Sequence, residues 1–193
     1  MRNNFVPRLT ITIILSLFFS LNLSAEINWE AIQEGNKIIL IRHASAPGGG
    51  DPVGFKIKDC STQRNLDQIG IEQSIYIGKL FKKKLIPIDK VLSSQWCRCK
   101  DTAKFAFGDY KEFPALNSTF QAPFDKNEEK QLKQIKDYIK NWKGKGKNLV
   151  IVTHYSIITK VINSSPSSGE IIIINKNFDI LERISTLEMG FFD

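Results

Sequence analysis

Two stretches that lead into the chain's histidines show no alternation of apolar and polar residues. They are Ile38-Ile39-Leu40-Ile41, followed by Arg42-His43, and Leu149-Val150-Ile151-Val152, followed by Thr153-His154. Unbroken aliphatic runs of this length suit strands covered on both faces, and they predict strands over Lys37 to Arg42 and Asn148 to Thr153. Between them the apolar spacing changes to that of helices. Asp67 starts one that runs to about Lys84 and stops before Pro87. Val91 to Ser93 reads as a further strand, Cys97 to Phe107 and Glu128 to Trp142 as helices, and Ser156 to Ile162 as a last helical stretch. Glu170 to Ile174 and Ile180 to Ile184, separated by Asn175-Lys176-Asn177-Phe178-Asp179, have the pattern of an edge hairpin. The segment after the first strand carries Pro47, Gly48, Gly49, Gly50, Pro52 and Gly54, which excludes regular structure there.

Strands alternating with helices predict an α/β fold, a mostly parallel central sheet with helices on both faces. In such sheets ligands gather beyond the carboxyl ends of the strands. Arg42-His43 ends one strand, Ser93-Ser94 ends another and leads to Arg98, and Thr153-His154 ends a third. The topology therefore collects arginines, hydroxyls and the chain's 2 histidines at one sheet edge.

The first residues do not belong to this pattern. Arg2 and Arg8 lie in a polar leader, and Leu9 to Leu23 is a charge-free apolar run ending in Ser24-Ala25, the arrangement of a signal peptide cleaved after Ala25. The reading is residues 1–25 as signal peptide and 26–193 as a single domain, in a periplasmic or secreted protein. An uncleaved run would act as a membrane anchor, although it falls short of the roughly 20 apolar residues that span a bilayer comfortably. No cysteine near the junction suggests a lipid anchor.

The whole chain has 193 residues and a formal charge of +7. Losing the leader with Arg2 and Arg8 leaves +5. Much of the excess lies in Lys126 to Lys147, where lysines alternate with Leu132, Ile135, Ile139 and Trp142 at helical spacing, most simply a solvated helix face. No basic groove with interleaved aromatics is present, which argues against a nucleic-acid partner. In an oxidising compartment Cys60, Cys97 and Cys99 would give one disulfide and one thiol. Cys60 with Cys97 or Cys99 is favoured over a bridge inside Cys97-Arg98-Cys99. Zinc is the competing reading of a Cys-x-Cys pair with histidine, but no second cysteine pair or HxxxH spacing supports it, so no metal or other cofactor is expected.

Guanidinium groups are planar forks suited to phosphate oxygens, and they stay charged at any working pH. Neutral imidazole is a competent nucleophile. Two arginines and two histidines converging on one edge thus point to binding and transfer of a phosphoryl group.

These residues resemble the histidine phosphatase superfamily, with its phosphoglycerate mutase-like sheet. Leu40-Ile41-Arg42-His43-Ala44 is similar to its Arg-His-Gly motif, Arg64-Asn65-Leu66-Asp67-Gln68-Ile69-Gly70 to its helix start, Val91 through Ala103 to its S-S-x-x-x-R-x-x-x-T-A segment, and Val152-Thr153-His154 to its T-H-G. The pieces occur in family order over residues 37–162. The resemblance implies a metal-independent phosphatase in which His43 attacks phosphorus while Arg42, Arg98 and His154 bind the equatorial oxygens. Arg64 approaches the pocket or organises its loop, and Tyr155 walls it. The implied substrate is a small phosphorylated molecule, with an envelope phosphosugar as one possibility from the expected compartment.

Ala44 and Tyr155 stand where the family commonly has glycine. The acid that many members place before the T-H-G strand is also missing, since Pro114-Ala115-Leu116-Asn117-Ser118 contains no carboxylate. Asp51, Asp59 and Asp125 are the candidate substitutes, each also readable as a loop-capping or solvated acid. Acid-poor members include phosphohistidine phosphatases, and exported ones include the lipopolysaccharide core heptose phosphate phosphatase. Two alternatives stay open: a phosphotransferase or mutase acting on a sugar phosphate, and a non-catalytic phosphate-binding envelope protein.

Overall fold

The computed structural model describes residues 27–186, so the expected signal peptide lies outside the described residues. Strand β1 (Ile38–Arg42) occupies the middle of a six-stranded sheet. The other strands are β2 (Ile88–Ser93), β3 (Lys111–Glu112), β4 (Asn148–Thr153), β5 (Ile171–Ile174) and β6 (Ile180–Ile184), in the order β3-β2-β4-β1-β5-β6. The pairs β3·β2, β2·β4 and β4·β1 are parallel, whereas β5 runs antiparallel to both β1 and β6. This is the expected mostly parallel sheet closed on one side by the expected hairpin.

Helices α1 (Trp29–Gln33), α2 (Gln68–Lys83), α3 (Cys97–Phe107), α4 (Glu128–Asn141) and α5 (Tyr155–Ile162) cover both faces. Side chains alternate across a strand, so β1 feeds two cores. Ile39 and Ile41 pack with Val150, Val152, Ile77, Phe81 and Ala103 beneath α2 and α3. Ile38 and Leu40 pack with Leu149, Ile151, Ile135, Ile139 and Ile158 beneath α4 and α5. Burial on both faces explains the unbroken aliphatic runs, and each fully buried side chain contributes roughly 1.5–3 kcal/mol relative to exposure.

The register delivers the chemistry. Arg42 pairs with Thr153 across β1 and β4, and the His43 amide donates to the Thr153 carbonyl at 2.9 Å, continuing the ladder one residue further. Ser93 pairs with Val152 across β2 and β4. His43, Ser94 and His154 therefore leave three adjacent strands side by side.

Helix α2 fixes the segment that follows. Its cap, Asp67, accepts a hydrogen bond from the Gly70 amide at 2.8 Å. At Gly70 a Cβ would lie 2.1 Å from the Ser45 carbonyl oxygen, so only glycine lets the helix approach the backbone just beyond His43. The irregular segment itself is tied down by distant partners. Cys60 is disulfide-bonded to Cys97, one of the expected pairings, and Gln63 accepts from the Cys97 amide at 3.0 Å while donating to the Lys56 and Ile57 carbonyls.

Some boundaries differ from expectation. Strand β2 begins at Ile88 rather than Val91, because Asp89 and Lys90 are largely solvated and break the apolar run. Helix α4 stops at Asn141, leaving Trp142 as its cap with the indole donating to Asp89 at 2.8 Å. Helix α1, held by its Asn28 cap, and the two-residue β3 are additions.

Candidate active site

His43 is 2% exposed and its ring orientation is set by the backbone. Nδ1 lies 2.9 Å from the Ala44 carbonyl oxygen. A carbonyl only accepts, so Nδ1 carries the proton and Nε2 keeps the lone pair. Burial, followed by the nearby charge of Arg98, pushes the imidazole pKa well below its ordinary value. The result is a neutral ring with a free nucleophilic nitrogen at neutral pH.

His154 lies with its ring centroid 5.5 Å from that of His43. Its Nε2 is 2.8 Å from Ser94 Oγ, and Ser94 Oγ donates to Asn117 Oδ1 at 3.2 Å. Asn117 Oδ1 also accepts from the Gln95 amide at 2.9 Å. The arrangement that satisfies every partner has His154 Nε2–H donating to Ser94, which leaves Nδ1 facing Arg98 Nη2 at 3.4 Å. Burial and Arg98 lower the His154 pKa as well. Cys99, the remaining thiol, is buried with Sγ 3.4 Å from His154 Nε2, and burial raises its pKa to about 12. It stays protonated and unreactive.

The arginines are held in three ways. Arg42 donates from Nη1 to the Pro166 carbonyl at 3.0 Å and lies over the Tyr155 ring, 5.4 Å from its centroid. Arg64 donates from Nε to the Gly50 carbonyl at 2.8 Å and from Nη1 to the Ala46 carbonyl, so it both lines the cleft and organises the loop. Arg98, 2% exposed, makes a fork with Asp51: Nη1 to Oδ1 at 2.8 Å and Nη2 to Oδ2 at 3.1 Å. In Arg42 and Arg98 alike, Nε is buried without a partner. Each is an N–H donor whose satisfaction calls for an acceptor, and a phosphoryl oxygen is one that suits it.

These side chains line a cleft of about 150 Å³, together with Gly48, Gly49, Gly50, Ser118, Phe120, Gln121 and Ser156. Pockets for drug-sized ligands run roughly 300–1,000 Å³, so this one accepts a small oxyanion and leaves the remainder of any substrate at the mouth. Tyr155 and Phe120 are exposed there.

Of the three candidate acids, Asp51 alone reaches the cleft. Burial alone would raise its pKa, but the Arg98 fork, the Arg64 amide and the Trp96 indole outweigh burial and hold it below the ordinary carboxylate value. It is a carboxylate with no proton to donate. Asp59 caps the short 3₁₀ turn Cys60–Thr62 through Ser61, and Asp125 sits exposed in the turn Phe124–Asn127; neither lines the cleft. Both follow the loop-acid reading. Trp96, Asn117, Ser118, Phe120 and Gln121 complete the site, and nothing in their local sequence marks them for it. Among the described residues, no group of three or more His, Cys, Asp and Glu side chains is arranged to hold a metal ion.

No protein-family model matches the chain, and no curated protein matches its sequence. Solved structures do match. The protein histidine phosphatase SixA, complexed with tungstate, aligns at 13% identity and a TM-score of 0.57, covering 80% of this chain and 99% of that one. A proposed alpha-ribazole-5'-P phosphatase from Escherichia coli K-12 aligns at 16% identity and 0.56, covering 79% and 97%. A proposed phosphohistidine phosphatase SixA from Agrobacterium tumefaciens aligns at 15% and 0.51, covering 78% and 98%. At such identities the likeness is one of architecture, and with the strand order above it shows that this chain has the histidine phosphatase fold.

Proposed function

We propose that the protein is a metal-independent phosphatase that works through a phosphohistidine on His43. The observation that carries this is the His43 ring, neutral, with Nδ1–H on the Ala44 carbonyl, in a cleft shared with Arg42, Arg64, Arg98 and His154. His43 Nε2 attacks phosphorus, and the bond from phosphorus to the leaving atom breaks with its electron pair on that atom. Arg42 and Arg98 hold the equatorial oxygens, His154 joining them only once Nδ1 takes up a proton, and the guanidiniums stabilise the charge that grows there. Water then attacks the phosphohistidine, releasing phosphate and restoring His43.

The leaving group decides the substrate class. No protonated carboxyl lines the cleft, and general-acid assistance is commonly worth ~100-fold or more. A leaving group that departs easily, such as the imidazole of a phosphoramidate or an acidic alcohol, fits best, in keeping with the phosphohistidine phosphatase among the structural neighbours. The apolar run at Leu9 to Leu23 and the Cys60–Cys97 disulfide support an exported protein in an oxidising compartment, where an envelope phosphosugar is a further substrate to test. The tied-down Asp51 favours a second reading, a phosphate-binding protein without turnover.

The experiment incubates purified protein with p-nitrophenyl phosphate, phosphohistidine peptide and envelope sugar phosphates, with and without chelator, alongside His43→Ala. Turnover that survives His43→Ala sinks the nucleophile assignment, and loss with chelator sinks the metal-free mechanism. Phosphate binding with no turnover on any substrate selects the second reading.

A further inference from the structure

The carboxylate of Asp51 has a different use from the acid role considered for its position. Its two oxygens receive four N–H donors: Arg98 Nη1 at 2.8 Å, Arg98 Nη2 at 3.1 Å, the Arg64 amide at 3.0 Å and the Trp96 indole at 2.9 Å. Its side chain is 2% exposed, and that of Arg98 3%. The backbone is held as well. The Asp51 amide donates to Gln121 Oε1 at 2.8 Å, and Gln121 Nε2 donates back to the Asp51 carbonyl at 3.4 Å. A carboxylate knotted on every side does not swing, so the contact is no movable cap over the cleft.

Arg98 shows what this arrangement accomplishes. A guanidinium offers five N–H groups in one plane. Asp51 takes the fork end, Nη1 also donates to the Arg64 carbonyl at 3.3 Å, and Nη2 faces His154 Nδ1. The Nε edge is left as the unpaired donor in a residue that lines the cleft. We infer that Asp51 is a positioning residue for Arg98: by a bidentate grip it fixes the guanidinium plane and leaves the Nε edge to meet the phosphoryl oxygens. A single hydrogen bond would permit rotation, and the two-point contact does not. In turnover the inference rests on the phosphatase reading; in oxyanion binding it stands without it.

The test is a double-mutant cycle of Asp51→Asn and Arg98→Lys, read in kcat and KM for p-nitrophenyl phosphate and in calorimetric affinity for inorganic tungstate. Asp51→Asn alone has two opposed effects, freeing Arg98 and removing a negative charge near an anion site. Misorientation is expected to dominate when Arg98 is present. The expected loss is about 100-fold in kcat, with KM changed by less than about threefold, and about tenfold in tungstate affinity, a coupling of about 1.4 kcal/mol. In the Arg98→Lys background there is no fork to lose. There Asp51→Asn leaves kcat within about threefold and leaves tungstate affinity unchanged or higher, a reversal that general damage to the fold does not produce.

Equal losses in both backgrounds overturn the inference, as does an Asp51→Asn protein that matches the parent. A parent protein that fails to bind tungstate overturns it too. If the parent binds tungstate without turnover and the affinity cycle still shows the reversal, the positioning role holds and the phosphatase reading fails. Should Asp51→Asn not fold by circular dichroism, Trp96→Phe decides: removing that one indole donor is expected to weaken tungstate binding about threefold, and no change overturns the inference.

Discussion

Cleaving the Cys60–Cys97 bridge is expected to cost the protein a large share of its stability. The bridge closes a loop with a sequence separation of 37, and loop-closure entropy for that length comes to about 4 kcal/mol at 25 °C. The two ends differ in burial, Cys60 being exposed and Cys97 fully buried, which dictates the perturbation. Cys60→Ala opens the loop without leaving a cavity, because Cys97 keeps its volume as a thiol. In urea, with a slope of about 2 kcal/mol/M for a domain of this size, the midpoint should fall by about 2 M. Fluorescence of the chain's 3 tryptophans reports the transition. The parent in reductant should fall to the same midpoint, and Cys60→Ala should be insensitive to reductant. A midpoint shift below about 0.5 M, or an equal effect of reductant on Cys60→Ala, would refute the reasoning.

Other expectations are read more simply. Burial and Arg98 hold the His43 pKa well below 6.5, so if its neutral ring attacks phosphorus as proposed, kcat/KM should stay level as pH falls to 6.5 and decline only at lower pH; a limb at or above 6.5 counts against the assignment. His43 and His154 both have depressed folded-state pKa values. The unfolded chain therefore takes up more protons first, and denaturation midpoints should drop as pH falls below 6.5. Gly70→Ala forces a Cβ onto the Ser45 carbonyl and should destabilise by about 1–3 kcal/mol in thermal melts while lowering kcat, since Ser45 lies two residues from His43. Tyr155→Leu removes the ring beneath Arg42 and should raise KM about twofold to fivefold, given roughly 0.5–1 kcal/mol for a half-exposed cation–π contact; steady-state kinetics checks it.

The parts of this protein that can be read from one sequence are those where local pattern and global role coincide. Strands β1 and β4 lie between two cores, so their residues are aliphatic without interruption, and the residues just past them are the ones the sheet presents to solute. That is why Arg42, His43 and His154 stand out. Arg98 follows from its place in the first turn of α3. What the sequence does not display depends on partners far apart along the chain. Asp51 meets Arg98 across a separation of 47 residues, and nothing in the spacing of a glycine-rich loop marks one carboxylate as buried and another, Asp59, as a solvated cap. Strand β2 hides its start because Asp89 and Lys90 face water, and β3 is too short to have a period.

The strand order also governs when the cleft first exists. Strand β4 inserts between β1 and β2, and the pairing of Arg42 with Thr153 is what sets His43 beside His154. A chain emerging from its amino end holds His43, the loop and Arg98 long before it holds β4, with about 110 residues separating the two histidines. Until that strand is threaded in, β1 and β2 have no common neighbour and His43 has no ladder partner. The cleft is thus incomplete in any partial chain that lacks β4, and whatever chemistry it carries has to await the closing of the sheet.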